Sequence, residues 1–240
     1  MSKHKYPIIK DIGLVVHSTY EIELKYFDRI WKFNVRSKSE ENISKSCLTY
    51  YSPMWNGSLD TFLTKNDIII DIGAHVGFFA IPISSMVKQV IAFEPAPANY
   101  ELLQRNIAKN NIKNILALNT AVDARKGIIE LRLGIRGTTG HSVVVNKKGG
   151  VRTTVNCTNL SNIVKVYNPT VLKIDCEGSE WNILTDENLL KNIKIIIAEL
   201  HRVKRYDVSE LENVIKMAGM EFKIKHNSWF SKLIAWRKNE

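Results

Sequence analysis

Residues 68–83 read IIIDIGAHVGFFAIPI. Three isoleucines lead into Asp71, a turn follows with glycines at 73 and 77, and an apolar stretch of helical length comes next. A β-branched run closed by glycines and followed by a helix is the strand–turn–helix opening of a nucleotide-binding α/β unit. The dinucleotide fingerprint is Gly-x-Gly-x-x-Gly, with a pyrophosphate seated on the helix N-terminus. Here the glycines are spaced differently, and Asp71 stands just before the turn. A carboxylate at that point repels a pyrophosphate and suits a ligand carrying positive charge, so an NAD-dependent oxidoreductase is disfavoured.

The rhythm around this unit sets the fold class. IIIDIG reads as a strand and GFFAIPISSMV as a helix, KQVIAFEP as a second strand and ANYELLQRNIAKNN as a second helix, then NILALNTAV as a third strand. Such alternation argues for a parallel sheet with crossover helices. It breaks at GIIELRLG, HSVVVN and VRTTVNC, which read as strands with a turn at Lys147–Gly150. It resumes with the helix NLSNIVKVY, the strand VLKIDCEG, a helix over SEWNILTDENLLKN capped by Ser179, the strand IKIIIAELH, and the amphipathic helix DVSELENVIKMAGM. EFKIKHN and KLIAWRKN then close the chain as an antiparallel pair. The count is seven core strands, with a hairpin inserted between the third and fourth. Residues 1–66 lack the rhythm and read as an N-terminal β-rich flap with a hairpin around Asp28, followed by a polar stretch. Residues 67–240 read as the α/β domain, with a β-insert at about 124–157.

Bulk properties narrow the class further. A chain of 240 residues holds one well-buried α/β domain and little more. No apolar run approaches the roughly 20 residues of a membrane-spanning helix. The N-terminus makes a poor signal peptide, because Lys10 and Asp11 interrupt its apolar stretch. Cys47, Cys157 and Cys176 are widely spaced and form no Cys-x-x-Cys pair, which argues against a disulfide framework or a structural zinc and for a reducing cytoplasm. The net charge is +10, and residues 124–170 hold eight basic side chains against Glu130 alone. Such an insert faces an anionic partner, RNA included, or is a solvated hairpin.

Candidate site residues cluster where strands end. Glu94 closes the second strand, where doubly wound sheets place an acid that accepts ribose hydroxyls. With the glycine turn this indicates a ligand containing adenosine. Asp71 then favours S-adenosylmethionine, which carries an ammonium and a sulfonium. His75 occupies a turn position that often needs positive φ, which His tolerates better than most residues. The fourth strand runs into Lys173, Asp175, Glu177 and Glu180, and carboxylates crowded there are costly without partners. They could receive an ammonium, orient a hydroxyl or bind a divalent metal. Glu180 also suits the start of the following helix, where the dipole favours negative charge.

DIGAHVGFFAI, AFEPAPANYELLQRNIAKNN, NTAV, LKIDCEGSEWNIL and IIIAELH, in this order, resemble the FkbM-type S-adenosylmethionine-dependent methyltransferases, from about Asp67 to His201. The resemblance implies a Rossmann-like, seven-stranded class I methyltransferase fold and O-methylation of hydroxyls on sugars, glycolipids or polyketide-like compounds. Carried over by position, Asp71, Gly73 and Gly77, with Ala74 and His75 between the glycines, would bound the methionine end of the cofactor. Glu94 and Pro95 would hold the ribose side, and Ala121 and Val122 would border the adenine. Asp175 and Glu177 would line the substrate side, Asp175 also touching the cofactor. Two departures stand out: His75 replaces the usual Asn, and CTNLSNI before the fourth strand lacks the family's acids.

Methyl transfer from a sulfonium mainly asks the protein to align the acceptor and exclude water. A hydroxyl acceptor must also lose its proton. His201, directly after the fifth strand, is a candidate base by its ordinary pKa, and Asp175 with Glu177 is the other candidate, as base or metal pair. The expected partner is a hydroxyl-bearing small molecule or glycan. The alternatives are an RNA (tRNA) methyltransferase using the basic insert, Arg202, Lys204, Arg205 and the tail tryptophans Trp229 and Trp236, and a non-catalytic nucleotide-binding module. Against RNA, KIDCEGSE stands where an Asn-Pro-Pro-Tyr-like motif belongs.

Overall fold

The computed structural model of the chain describes residues 18–47, 62–133, 151–202, 207–228 and 230–237. The strand expected at 141–146, the turn at 147–150, and Lys204, Arg205 and Trp229 lie outside the described residues. The chain enters through an antiparallel hairpin, β1 (Tyr20–Tyr26) and β2 (Arg29–Val35), and a helix, α1 (Lys38–Cys47). Its two-residue turn puts both Phe27 and Asp28 at positive φ, the geometry that matches the twist of paired strands. α1 replaces the expected polar stretch. Its signal is Ser37-x-x-Glu40, in which the Ser37 hydroxyl accepts from the Glu40 N–H at 3.3 Å.

β3 (Ile68–Ile72) opens the α/β unit, followed by α2 (Ala80–Ile83), β4 (Gln89–Phe93), α3 (Pro97–Lys109) and β5 (Ile115–Leu118). The helix expected over GFFAIPISSMV is one short turn, because Pro82 has no N–H to give Phe78. The Ser84 and Ser85 hydroxyls then take the carbonyls of Ile81 and Pro82, and the helix stops. The expected third strand splits at Asn119, whose amide reaches back to the Glu94 and Pro95 carbonyls at 2.9 and 3.0 Å. Its second half, β6 (Thr120–Val122), leaves the main sheet and pairs with the insert strands β7 (Gly127–Leu133) and β8 (Val151–Thr158), in the order β6-β8-β7.

α4 (Leu160–Tyr167) leads back to β9 (Val171–Ile174), then α5 (Glu180–Ile183), β10 (Ile195–His201), α6 (Val208–Met217), β11 (Glu221–His226) and β12 (Phe230–Trp236). The helix expected over SEWNILTDENLLKN breaks after α5, and Asp186 caps a separate 3-10 turn at Glu187–Leu190. Ser179 precedes α5 but makes no cap bond; its hydroxyl donates to Asp123 Oδ2 at 2.9 Å. The seven-stranded sheet runs β11-β12-β10-β9-β3-β4-β5, and β12 alone is antiparallel to its neighbours.

Both faces of the sheet are covered, which is why its parallel strands read as unbroken apolar runs. Ile70, Ile91, Leu172 and Ile196 point to one face with Ile163, Leu211 and Ile215 of the helices, and Ile69, Val90, Val171 and Ile197 point to the other with Ile83 and Leu103. The N-terminal hairpin packs as a further layer: Trp31, Phe33 and Val35 join Phe78, Ile81 and Leu102 in one buried cluster. α3 also satisfies the backbone of β2. Asn106 accepts from the Asn34 N–H at 2.7 Å and donates to the Val76 carbonyl at 3.0 Å. Asn110, one turn on, brackets Lys32 in the same way at 3.0 and 2.7 Å. Asn106→Ala strands buried backbone groups and should cost about 2–3 kcal/mol in urea unfolding, whereas Asn110→Ala at the half-buried position should cost less than half of that.

Candidate active site

The parallel strands all point their C-terminal ends to one edge of the sheet, where ligands bind in open α/β folds. The register of β3 against β9 sets Asp71 beside Lys173. Both are buried, and the Lys173 ammonium lies 3.0 Å from Asp71 Oδ1. The ammonium is aligned on the Gly73 carbonyl, at 2.8 Å, and neither Asp71 oxygen has an aligned hydrogen-bond donor. Burial pushes the Asp71 carboxyl up, and the lysine charge pulls it back. Gly73 sits at φ +78°, and a Cβ there would meet the Asp175 carbonyl oxygen at 1.8 Å. The turn after β3 and the end of β9 therefore touch through backbone, and only glycine allows it.

The turn spends its N–H groups at 73, 74, 75 and 77 within the protein. The N–H groups of Gly73 and Ala74 both go to the Phe93 carbonyl, at 2.9 and 3.0 Å, and Gly77 donates to Ala74 at 3.0 Å. The His75 N–H donates to Glu94 Oε2 at 2.8 Å. A phosphate cradle needs such N–H groups pointing at the ligand, so this turn is built for a different ligand end. His75 is at φ +52°, as its position in the turn required. Glu94 Oε1 accepts from the Ala96 N–H at 2.9 Å and from Asn99 at 3.4 Å, which leaves Oε2 a free lone pair for a hydroxyl. Burial raises the Glu94 pKa to about 7 against these hydrogen bonds. Ala121 packs in one small cluster with Ala96, next to Pro95, while Val122 enters the main core.

The second group of residues surrounds His201. Glu180, fully buried, accepts from the N–H groups of Cys176 and Gly178 at 2.9 and 2.8 Å and holds His201 Nδ1 at 2.9 Å. The other ring nitrogen faces Glu199 at 3.5 Å and Glu177 at 3.6 Å. Burial alone would lower the His201 pKa, but the Glu180 hydrogen bond and charge, with Asp175 and Glu177, outweigh it and raise it to about 10. His201 is thus a cation at neutral pH, the opposite of the state a base needs. Burial and the Asp175 charge push Glu199 up in turn. Asp175, Glu180 and His201 each bring one possible ligand atom within 4.8 Å of the others, and Glu180 spends three of its lone pairs on the Cys176 and Gly178 N–H groups and the His201 ring.

The structure thus brings together the residues singled out at the ends of β3, β4, β9 and β10. Sequence reading missed Lys173 as the partner of Asp71, Glu180 as the anchor of His201, and Glu199. The first comes from the register of two adjacent parallel strands, which spacing along the chain does not give.

A sheet of this order, with a glycine turn bearing no phosphate cradle and an acid on the second strand, defines a Rossmann-like class I methyltransferase. The chain belongs to the FkbM methyltransferase family, whose "Methyltransferase FkbM domain" matches residues 71–224. It is similar to the methyltransferase sdnD of Sordaria araneosa, at 26% identity over 175 residues, 57% of this chain and 67% of the relative. Among solved structures it is similar to the 16S rRNA N2 G1207 methyltransferase (RsmC) of T. thermophilus in complex with AdoMet and guanosine, at 12% identity, covering 92% of this chain and 51% of that one, with a TM-score of 0.50. It is also similar to precorrin-6y C5,15-methyltransferase from Geobacter metallireducens, at 10% identity, 82% and 88% coverage and a TM-score of 0.47. The RsmC structure shares the fold. S-adenosylmethionine is the cofactor of this class of enzyme. Among the described residues no helix is long and apolar enough to cross a membrane.

The raised pKa of His201 has a consequence for stability. Its folded value of about 10 exceeds the ordinary 6.5, so its contribution is complete below about pH 6.5 and is lost as pH rises towards 10. The melting temperature should fall across that window, and His201→Gln should flatten the fall.

Proposed function

We propose that the protein transfers a methyl group from S-adenosylmethionine to a hydroxyl of a sugar, glycolipid or other small molecule. The observation that carries this reading is the charge at the acceptor side: Asp175, Glu177 and Glu199 crowd around His201, with Glu180 behind. Carboxylates accept hydrogen bonds from hydroxyls and repel phosphates, so the pocket suits a polyol and disfavours an RNA backbone. Among the described residues, three of the basic side chains of the insert stand beside acids. Arg125 pairs with Asp123 at 2.8 Å, and Arg132 and Arg152 flank Glu130 at 3.8 and 3.1 Å.

The residues present fit the cofactor. Asp71, whose buried oxygens have no aligned donor, faces the charge of the methionine end, with Gly73, Ala74, His75 and Gly77 shaping the turn beside it. The Glu94 Oε2 lone pair takes a ribose hydroxyl, next to Pro95, and Ala121 borders the adenine, with Val122 behind it in the main core. When bound, S-adenosylmethionine supplies a methyl group already activated on a sulfonium. The chain's own residues do the rest. His201, kept charged by Glu180, holds Glu177 and Glu199 in place, and Asp175, Glu177 and Glu199 receive the hydroxyl and its proton. Of the two candidate bases the sequence offered, the role falls to the carboxylates Asp175 and Glu177 over His201.

Calorimetric titration should show S-adenosylmethionine and S-adenosylhomocysteine binding and NAD failing to bind. Labelled methyl transfer to a panel of polyhydroxylated acceptors, with RNA as the competing substrate, then tests the acceptor; transfer to RNA alone, with steep salt dependence, would overturn it. Glu94→Ala and Asp71→Asn should each weaken cofactor binding at least tenfold, about 1.4 kcal/mol. Asn is the variant chosen at 71 because Ala would leave Lys173 with only the Gly73 carbonyl beside it. Affinity for S-adenosylmethionine should also fall as pH drops through about 7, where Glu94 gains a proton and loses its charge.

A further inference from the structure

The N-terminal unit carries a buried polar network that the reaction chemistry does not use. Glu40, the third residue of α1, is fully buried. Arg36, just before α1, is nearly so, and it gives Glu40 its Nε at 3.1 Å and its backbone N–H at 2.6 Å. One guanidinium nitrogen, Nη2, is shared: it donates to Glu40 Oε1 and to Asn99 Oδ1, each at 2.5 Å. Asn99 is 2% exposed and stands in the first turn of α3. Its amide donates to Glu94 Oε1 at 3.4 Å. Glu40 also faces the His75 ring, with Oε1 3.5 Å from Nε2, while the His75 N–H holds the other oxygen of Glu94. Both oxygens of Glu94 are thus oriented by groups that Arg36 and Glu40 hold in place.

A buried ion pair is weak grounds for stability, because its desolvation offsets its attraction. The Trp31–Phe33–Val35 face already docks the hairpin. What the apolar contact cannot do is fix the direction of a carboxylate 54 residues further along the chain. A planar guanidinium with donors in a rigid fork can, by holding the Asn99 oxygen so that its amide faces Glu94.

We propose that Arg36 and Glu40 are positioning residues for the cofactor ribose, acting through Asn99 and His75 on Glu94, so that the N-terminal unit is part of the cofactor site. This rests on the reading of Glu94 as the ribose acceptor. Two consequences follow from the geometry. Affinity for the cofactor depends on residues that need not touch it, and the effect is confined to the ribose hydroxyls.

Arg36→Lys tests it, since lysine keeps the charge opposite Glu40 but loses the second arm of the fork. Asn99→Leu removes the bridge itself and keeps the buried charge pair. Titrations of the full chain with S-adenosylhomocysteine and its 2′-deoxy and 3′-deoxy ribose analogues should show five- to tenfold weaker binding of the parent in either variant. The loss should shrink to less than twofold for the deoxy analogue whose missing hydroxyl met Glu94, while melting temperature reports folding separately. Equal losses for the parent and both analogues, or unchanged affinity in a folded variant, would overturn the positioning role. Failure of the unaltered protein to bind S-adenosylhomocysteine at all would instead overturn the cofactor reading on which it rests.

Discussion

A lysine ammonium pressed against a fully buried aspartate joins β3 to β9, and the site is arranged around that contact. Asp71 and Lys173 are neighbours in the parallel register, the ammonium 3.0 Å from the carboxylate and 2.8 Å from the Gly73 carbonyl. Removing either partner would leave a charge inside the sheet, a penalty of about 3–5 kcal/mol. The pair therefore holds the register of the two central strands. By tying down Gly73 it also sets the turn against Asp175, with no room for a side chain between them. The C-terminal ends of β3 and β9 meet at this contact.

Around His201 the charges are organised differently. Four carboxylates, Asp175, Glu177, Glu180 and Glu199, raise the pKa of one imidazole or crowd against it. Only Glu180 is fully buried, and two backbone N–H groups and the His201 ring compensate it. The remaining acids are half-buried and share the cation of His201. One acid thus anchors one ring nitrogen, and Glu177 and Glu199 gather at the other.

The turn after β3 explains the choice of ligand. In the dinucleotide fold the turn's N–H groups receive a pyrophosphate. Here Phe93 and Glu94 take them first. The same fold is thereby closed to phosphate and left open to a ligand that brings hydroxyls and positive charge.

Much of this was legible in residue order. The seven strands, the final antiparallel pair, the turn with His75 at positive φ, and Asp71, Glu94, Asp175 and His201 at strand ends follow from periodicity, turn chemistry and spacing, all of which are local. The misreadings have local causes that sequence patterns weigh poorly. Pro82 and two serine hydroxyls cut a helix short, Asn119 bent a strand out of the sheet, and Ser179 spent its hydroxyl on Asp123 instead of a cap. What the sequence by itself determined was therefore the order of elements and which residues stand at the edge of the sheet. Tertiary structure alone decided their chemical state: that Lys173 answers Asp71, that Glu180 keeps His201 charged, and that Arg36 reaches Glu94 through Asn99. Charge state depends on burial and on partners from distant parts of the chain, and neither is a property of a residue's neighbours in sequence.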